Sequence, residues 1–108
     1  MIYKLSFLKE AAEDYRRLDG SQRLYVDKTL KKIRRNPLVD KEGGYGKALS
    51  NQNGSKLAGY LKIKLKKQGI RIIYKLEKIE NEIIVIIIGM REDSKVYKEA
   101  AKRVAKLK

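Results

Sequence analysis

Six consecutive residues, Ile83-Ile84-Val85-Ile86-Ile87-Ile88, constrain this chain more than any other stretch. A β-branched run with no polar alternation is the pattern of a strand buried on both faces, and six residues are too few to cross a bilayer. The segments before it supply partners. Residues 57–66 and 70–77 read as strands joined at Lys67-Gln68-Gly69, where the Gln-Gly step suits a hairpin needing positive φ, and Glu80-Asn81 makes the next turn.

The N-terminal third has a different period. Residues 2–6, with Ile2 and Leu5, read as a short strand. From Phe7 the apolar positions Phe7, Leu8, Ala11, Ala12, Tyr15 and Leu18 follow helical spacing, and Asp19-Gly20 ends the run. Ser21 is the expected N-cap of a second helix with Leu24, Val26, Leu30 and Ile33 inward. Lys28, Lys31, Lys32, Arg34 and Arg35 fall on its outer side, and Asn36-Pro37 stops it. After Gly89, Ser94 is placed to cap a last helix with Val96, Tyr97, Ala100, Ala101, Val104 and Leu107 inward. Residues 38–55 hold Gly43, Gly44, Gly46, Gly54, Asn51 and Asn53 without periodicity, and a connection that long is functional or mobile.

The resulting order β-α-α-β-β-β-α implies an α+β fold. Three strands form an antiparallel meander, the first strand adds to it, and the helical hairpin covers one face. The other face is left free at least in part. A length of 108 residues suits one domain over 1–108.

Charge and missing residue types then narrow the function. Lys and Arg number 27 against 13 acids, a net +14 that opposes compaction by self-repulsion. A phosphate backbone or an acidic protein would offset it. With no Cys and no His, thiolate zinc sites, Cys or Ser–His nucleophiles and a His base are excluded. Acid–base chemistry would fall to Lys, Arg, Tyr, Asp or Glu. The first residues, Met-Ile-Tyr-Lys-Leu, lack a signal peptide's apolar core and the longest apolar run is too short to span a bilayer, so a soluble, cytoplasmic protein with no membrane is expected. No metal and no cofactor are expected either.

In Tyr60-Leu61-Lys62-Ile63-Lys64-Leu65-Lys66, period-2 alternation sends Leu61, Ile63 and Leu65 to one side and the lysines to the other. An even hairpin register puts Arg71 beside Lys62 and Lys64. Adjacent like charges cost stability unless something neutralises them, and a phosphate would. The blander account is the solvated face of an antiparallel sheet, and for those lysines alone it is the better one. Arg91 at the end of the apolar strand and Tyr97 at the start of the last helix bring two more polar-tipped groups toward the same place. Each has its own bland account, as a surface arginine and as a tyrosine stapling helix to sheet.

These blocks also carry a resemblance. Gly59-Tyr60-Leu61-Lys62-Ile63-Lys64-Leu65, then Gly69-Ile70-Arg71-Ile72-Ile73-Tyr74, then Ile88-Gly89-Met90-Arg91 with Val96-Tyr97-Lys98-Glu99-Ala100, resemble the RelE family of bacterial toxin–antitoxin systems. Tyr3-Lys4-Leu5, Leu18-Asp19 and Ile33-Arg34-Arg35-Asn36-Pro37 are similar to it as well, so the likeness spans nearly everything but 38–54. It implies a RelE-like fold and a ribosome-dependent, metal-independent ribonuclease that cleaves A-site mRNA. It also implies a RelB-like acidic antitoxin and the ribosome with its mRNA as partners. Leu8, Tyr15 and Tyr25 are candidates for contact with the antitoxin, with ordinary core or surface packing as the blander role of each. The family's functional set falls on Lys62, Lys64, Arg71, Arg91 and Tyr97. Met90 and Asp93 depart from the family's polar or basic residues, and segment 38–55 is longer than in compact members.

Cleavage through the RNA's own 2′-OH needs that hydroxyl deprotonated, a phosphorane's charge stabilised and the 5′-oxygen protonated. Arg71 is expected to clamp the charge with its fixed guanidinium fork. Lys64 is expected near the 2′-OH with Lys62 beside it, Tyr97 to stack on a base, and Arg91 to bind phosphate or assist the leaving group. Lys64 and Tyr97 can exchange the base role. The competing readings are a ParE-like DNA gyrase inhibitor and a non-catalytic basic module that binds RNA or ribosomes.

Overall fold

The computed structural model describes residues 2–51, 56–90 and 93–107. In chain order they form β1 (Lys4–Phe7), α1 (Lys9–Arg17), α2 (Gly20–Arg35), a single 3-10 turn (Asp40–Glu42), β2 (Lys47–Ala48), β3 (Leu61–Leu65), β4 (Ile70–Glu77), β5 (Glu82–Met90) and α3 (Asp93–Ala105). The strands make one sheet in the order β1-β5-β4-β3-β2. None of the described helices is long and apolar enough to cross a membrane.

The apolar run sits in β5, between β1 and β4, and supplies two cores. Ile83, Val85 and Ile88 join the first, beneath α1 and α2 with Val26, Leu30 and Ile33. Ile86 and Ile87 join the second, beneath α3 with Val96, Ala100 and Val104. Two neighbours on one face break strand alternation, and a β-bulge is the reason. Ile73 faces Ile87, but Tyr74 faces Val85, so Ile86 is an extra residue on β5.

Both hairpins of the meander have four-residue loops whose last residue is left-handed. Gly69 closes one with φ 68° and Asn81 the other with φ 52°, conformations that glycine and asparagine tolerate best. The meander β3-β4-β5 is antiparallel as expected.

The structure corrects several details. β1, whose direction the sequence left open, pairs with β5 in parallel, with a helical hairpin and the rest of the sheet between them in the chain. β1 runs over 4–7, so Phe7 is in the strand and Ile2 is exposed. The cap of α2 is Asp19, not Ser21. Its carboxylate accepts from Gln22 N at 2.8 Å while the Gln22 side chain accepts from Asp19 N at 2.9 Å, a reciprocal box at a link between two helices. Leu24 and Leu107 face solvent, Leu107 because α3 ends at Ala105. That helix begins at Asp93, one residue before the expected cap Ser94.

Segment 38–51 is anchored at a few points, with most of its residues exposed, and it adds the two-residue β2 to β3. Pro37 and Leu49 are buried, and the Tyr74 hydroxyl donates to Pro37 O at 3.0 Å. Burial pushes the Tyr74 phenol up to about 12. Gly46 lies so close that a Cβ there would sit 2.3 Å from that hydroxyl oxygen. Residues 52–55, with Asn53 and Gly54, lie outside the described residues.

One ion pair joins the helices across the end of β5. Arg103 Nη1 donates to Asp14 Oδ2 at 2.6 Å and to Ile86 O at 3.0 Å, and Ile88 N donates to the same Asp14 oxygen at 3.1 Å. Glu99, one turn earlier, accepts from Arg103 Nε at 3.0 Å. Burial pulls the Arg103 guanidinium down, but the bonds and charges of Asp14 and Glu99 outweigh it and raise it above its ordinary value. The pair satisfies backbone groups of β5 on the side where β1 has ended.

Candidate functional site

α3 covers much of the face expected to be free, since Tyr97, Val96 and Ala100 pack there with Leu49 and Leu57. The basic groups gather along its border. Lys64 lies directly across from Arg71 and Lys62 across from Ile73, so Lys62, Lys64 and Arg71 share the α3 side of the sheet. Opposed residues in such a ladder have Cβ atoms about 5 Å apart. Lys64 is exposed, while Lys62 and Arg71 are half-buried.

Tyr97 meets this group through its hydroxyl. The Lys62 ammonium donates to that oxygen and lies 5.1 Å from the ring centroid. The ring itself is enclosed in the second core, with the residue only 5% exposed. Base stacking on Tyr97, as expected from the sequence, would need the ring to leave the core. Helical packing consumes its faces, and the oxygen is the part that reaches the basic border. It accepts from Lys62 and keeps its own proton to donate.

A glycine lets the helix come this close. Gly89 faces Arg71 across the β4–β5 ladder, and a Cβ there would stand 2.6 Å from Val96 Cγ2. Any larger residue would push the start of α3, and Tyr97 with it, off the sheet.

Arg91 lies outside the described residues. It follows Met90, whose Cα pairs with that of Ile70 at the end of the sheet. The structure thus brings together Lys62, Lys64, Arg71 and Tyr97 of the five candidates.

Sequence reasoning missed two neighbours, Lys47 and Tyr45. β2 sets Lys47 opposite Lys62, and Tyr45, Lys47 and Lys66 line a hollow of about 170 Å³ with Lys62, Ile63 and Lys64. Two residues of strand carry no readable period, so this signal was absent from the sequence. Asp14 and Arg103 were also missed. Arg103 is legible in retrospect as a cation seven residues after Val96 on the inward stripe of α3.

Chemically, the border is a cation cluster with a phenol at its edge. It can hold an oxyanion, present a fork of donors to a second phosphate oxygen and offer one hydroxyl proton.

No protein-family profile matches the chain. Individual relatives do. The mRNA interferase toxin RelE of Escherichia coli K12 is 31% identical over 107 residues, covering 96% of this chain and 99% of that one. A mutant of the E. coli toxin RelE in the free state superposes with a TM-score of 0.73 at 29% identity, covering 96% of this chain and 99% of its own. The same toxin in complex with a peptide of the antitoxin RelB superposes at 0.68 with 28% identity, covering 93% and 95%. With sequence and fold agreeing from end to end, this chain belongs to the RelE family of toxins.

Proposed function

We propose that this protein is the toxin of a toxin–antitoxin pair and an mRNA interferase, a metal-independent endoribonuclease that cleaves the message in the ribosomal A site by attack of the RNA's own 2′-OH. The observation that carries the reading is the set Lys62, Lys64 and Arg71 on one sheet border with the Tyr97 hydroxyl held against Lys62, in a chain without histidine. Relatives over nearly the full length bear the name mRNA interferase.

Arg71 stays cationic and offers two parallel donors, so it stabilises the charge that develops on the phosphorane. Lys64, exposed beside it, faces the 2′-OH. The Lys62–Tyr97 pair is assigned the proton transfer, with the phenol donating its proton to the leaving 5′-oxygen, or, once ionised, its phenolate taking the proton of the 2′-OH in place of Lys64. Arg91, the residue after β5 in sequence, is assigned a further phosphate contact.

The partner is an acidic, RelB-like antitoxin. A net charge of +14 calls for one, and the E. coli relative has been solved with such a peptide. The receiving surface is the groove of β1, α1 and α2, where hollows of about 300 and 510 Å³ are lined by Leu5, Phe7, Tyr15, Leu24 and Leu30. Of the three residues expected to meet an antitoxin, Tyr15 lines this groove and Tyr25 is exposed on α2, whereas Leu8 packs against both cores.

Primer extension on a translated message, comparing wild type with Arg71→Ala, tests the function. Codon-phased cuts that need translation and vanish in the variant are expected. Growth arrest with intact mRNA would instead favour a gyrase-type target, and neither effect would leave a basic binding module.

A further inference from the structure

The hollow beside Lys62 has a structural origin. β2 pairs with Leu61 and Lys62 and then stops, so among the described residues β3 beyond Lys62 has no strand on that side. Lys47 is fixed opposite Lys62, while Lys64 follows on the same face of β3 and Lys66, in the turn after the strand, lines the hollow beside it. Four lysines, Ile63 and Tyr45 wall a space of about 170 Å³, large enough for a phosphate group, and the four ammonium groups favour an anion there over a neutral base. None of the lining side chains is acidic. Tyr45 is 51% exposed at the rim, and the Lys32 ammonium lies 5.6 Å from its ring centroid.

Lysines along an open edge discourage pairing with other strands. That explains charge on the edge. It does not explain a concave wall with like charges set directly opposite each other, a destabilising arrangement, or an aromatic ring left in solvent beside it.

We propose that this hollow is a second nucleotide subsite, which takes the phosphate adjoining the one at Lys64 and Arg71 and lays the flanking unpaired base against Tyr45. The inference rests on the ribonuclease reading and extends it to how the strand is held on one side of the cut. Same-face residues of a strand stand roughly 6.6 Å apart, on the scale of one nucleotide step in an extended single strand. Stacking on an exposed tyrosine is tolerant of base identity, so the subsite would grip the message without reading it.

The test is fluorescence anisotropy of the full chain with 2′-O-methyl RNA oligonucleotides, which cannot be cleaved. Wild type should gain affinity on lengthening from two to four nucleotides. Lys47→Gln and Tyr45→Ala should each lose about 5- to 10-fold with the longer oligonucleotide and most of that gain. Lys47→Gln should also reduce the salt slope by about 0.7, whereas Tyr45→Ala should leave the slope unchanged and Tyr45→Phe should bind as wild type. Lys78→Gln, on the β4–β5 turn, serves as the control for lost charge. Losses at Lys47 no greater than this control, or a length gain that survives both substitutions, would overturn the subsite. The parent reading fails differently, through a wild type that makes no translation-dependent cuts whatever its oligonucleotide binding.

Discussion

Lys62 and Tyr97 join two parts of the chain that fold for different reasons, one in a strand edge and one in a helix. The phenol's ring belongs to the core and its oxygen to the basic border, so the two roles can be separated by one atom. Tyr97→Phe keeps the ring and removes the oxygen. Its thermal midpoint should stay close to wild type, while mRNA cleavage should fall by about 100-fold if the hydroxyl moves a proton. Unchanged cleavage in Tyr97→Phe would reduce the residue to a staple between α3 and the sheet. The alternating lysines were legible because a half-solvated strand leaves a period of two in the sequence. The state of Tyr97 was not, because no local pattern says how deep a tyrosine lies on a helix that covers half a sheet face.

At the scale of elements, two links are made by polar groups that the hydrophobic pattern does not announce. Asp14 and Arg103 bridge α1 and α3 and also occupy backbone groups of β5. Removing one partner leaves a buried charge uncompensated, so Asp14→Ala should lower unfolding free energy by about 3 kcal/mol, measured from urea midpoints at neutral pH. Asp14→Asn keeps an acceptor for Ile88 N and should lose less. Tyr74 ties the 36–49 segment to β4 and adds a pH dependence. Its folded phenol ionises near 12 against about 10 in the unfolded chain, so the unfolded state loses its proton first as pH rises. This contribution is whole below pH 10 and is lost between about 10 and 12, amounting to roughly 2 to 3 kcal/mol. The difference in stability between wild type and Tyr74→Phe should therefore change across that range and be flat below it. Helix and strand identities were readable from period. The parallel β1–β5 pair, the bulge at Ile86 and the two-residue β2 were not, since each is decided by partners far along the chain.

Across the whole molecule, the candidate site and the groove occupy different places, and the groove sets Leu5, Leu24 and Leu30 beside Lys28, Lys31 and Arg34. The cations of the candidate site border α3, whereas this groove lies on the opposite layer between β1 and the helical hairpin. An antitoxin seated in the groove therefore has anchors away from the residues assigned to cleavage. Leu24, 53% exposed on that groove, is the cleanest probe. Leu24→Glu should leave cleavage intact and weaken neutralisation by the antitoxin at least 10-fold in a titration of cleavage against added antitoxin. Equal neutralisation of both proteins would place the antitoxin elsewhere.

The pairing of β1 with β5 has a consequence for how the protein is born. Ser6 reaches its partner Glu82 across 76 positions, and Lys62 reaches Tyr97 across 35. Synthesis runs from the N-terminus, so the first strand waits unpaired while most of the chain is made, and the phenol arrives after every lysine it serves. If Tyr97 has the role proposed for it, a partly synthesised chain lacks one member of the site. The contact between Lys62 and Tyr97 forms only once the last helix has been made.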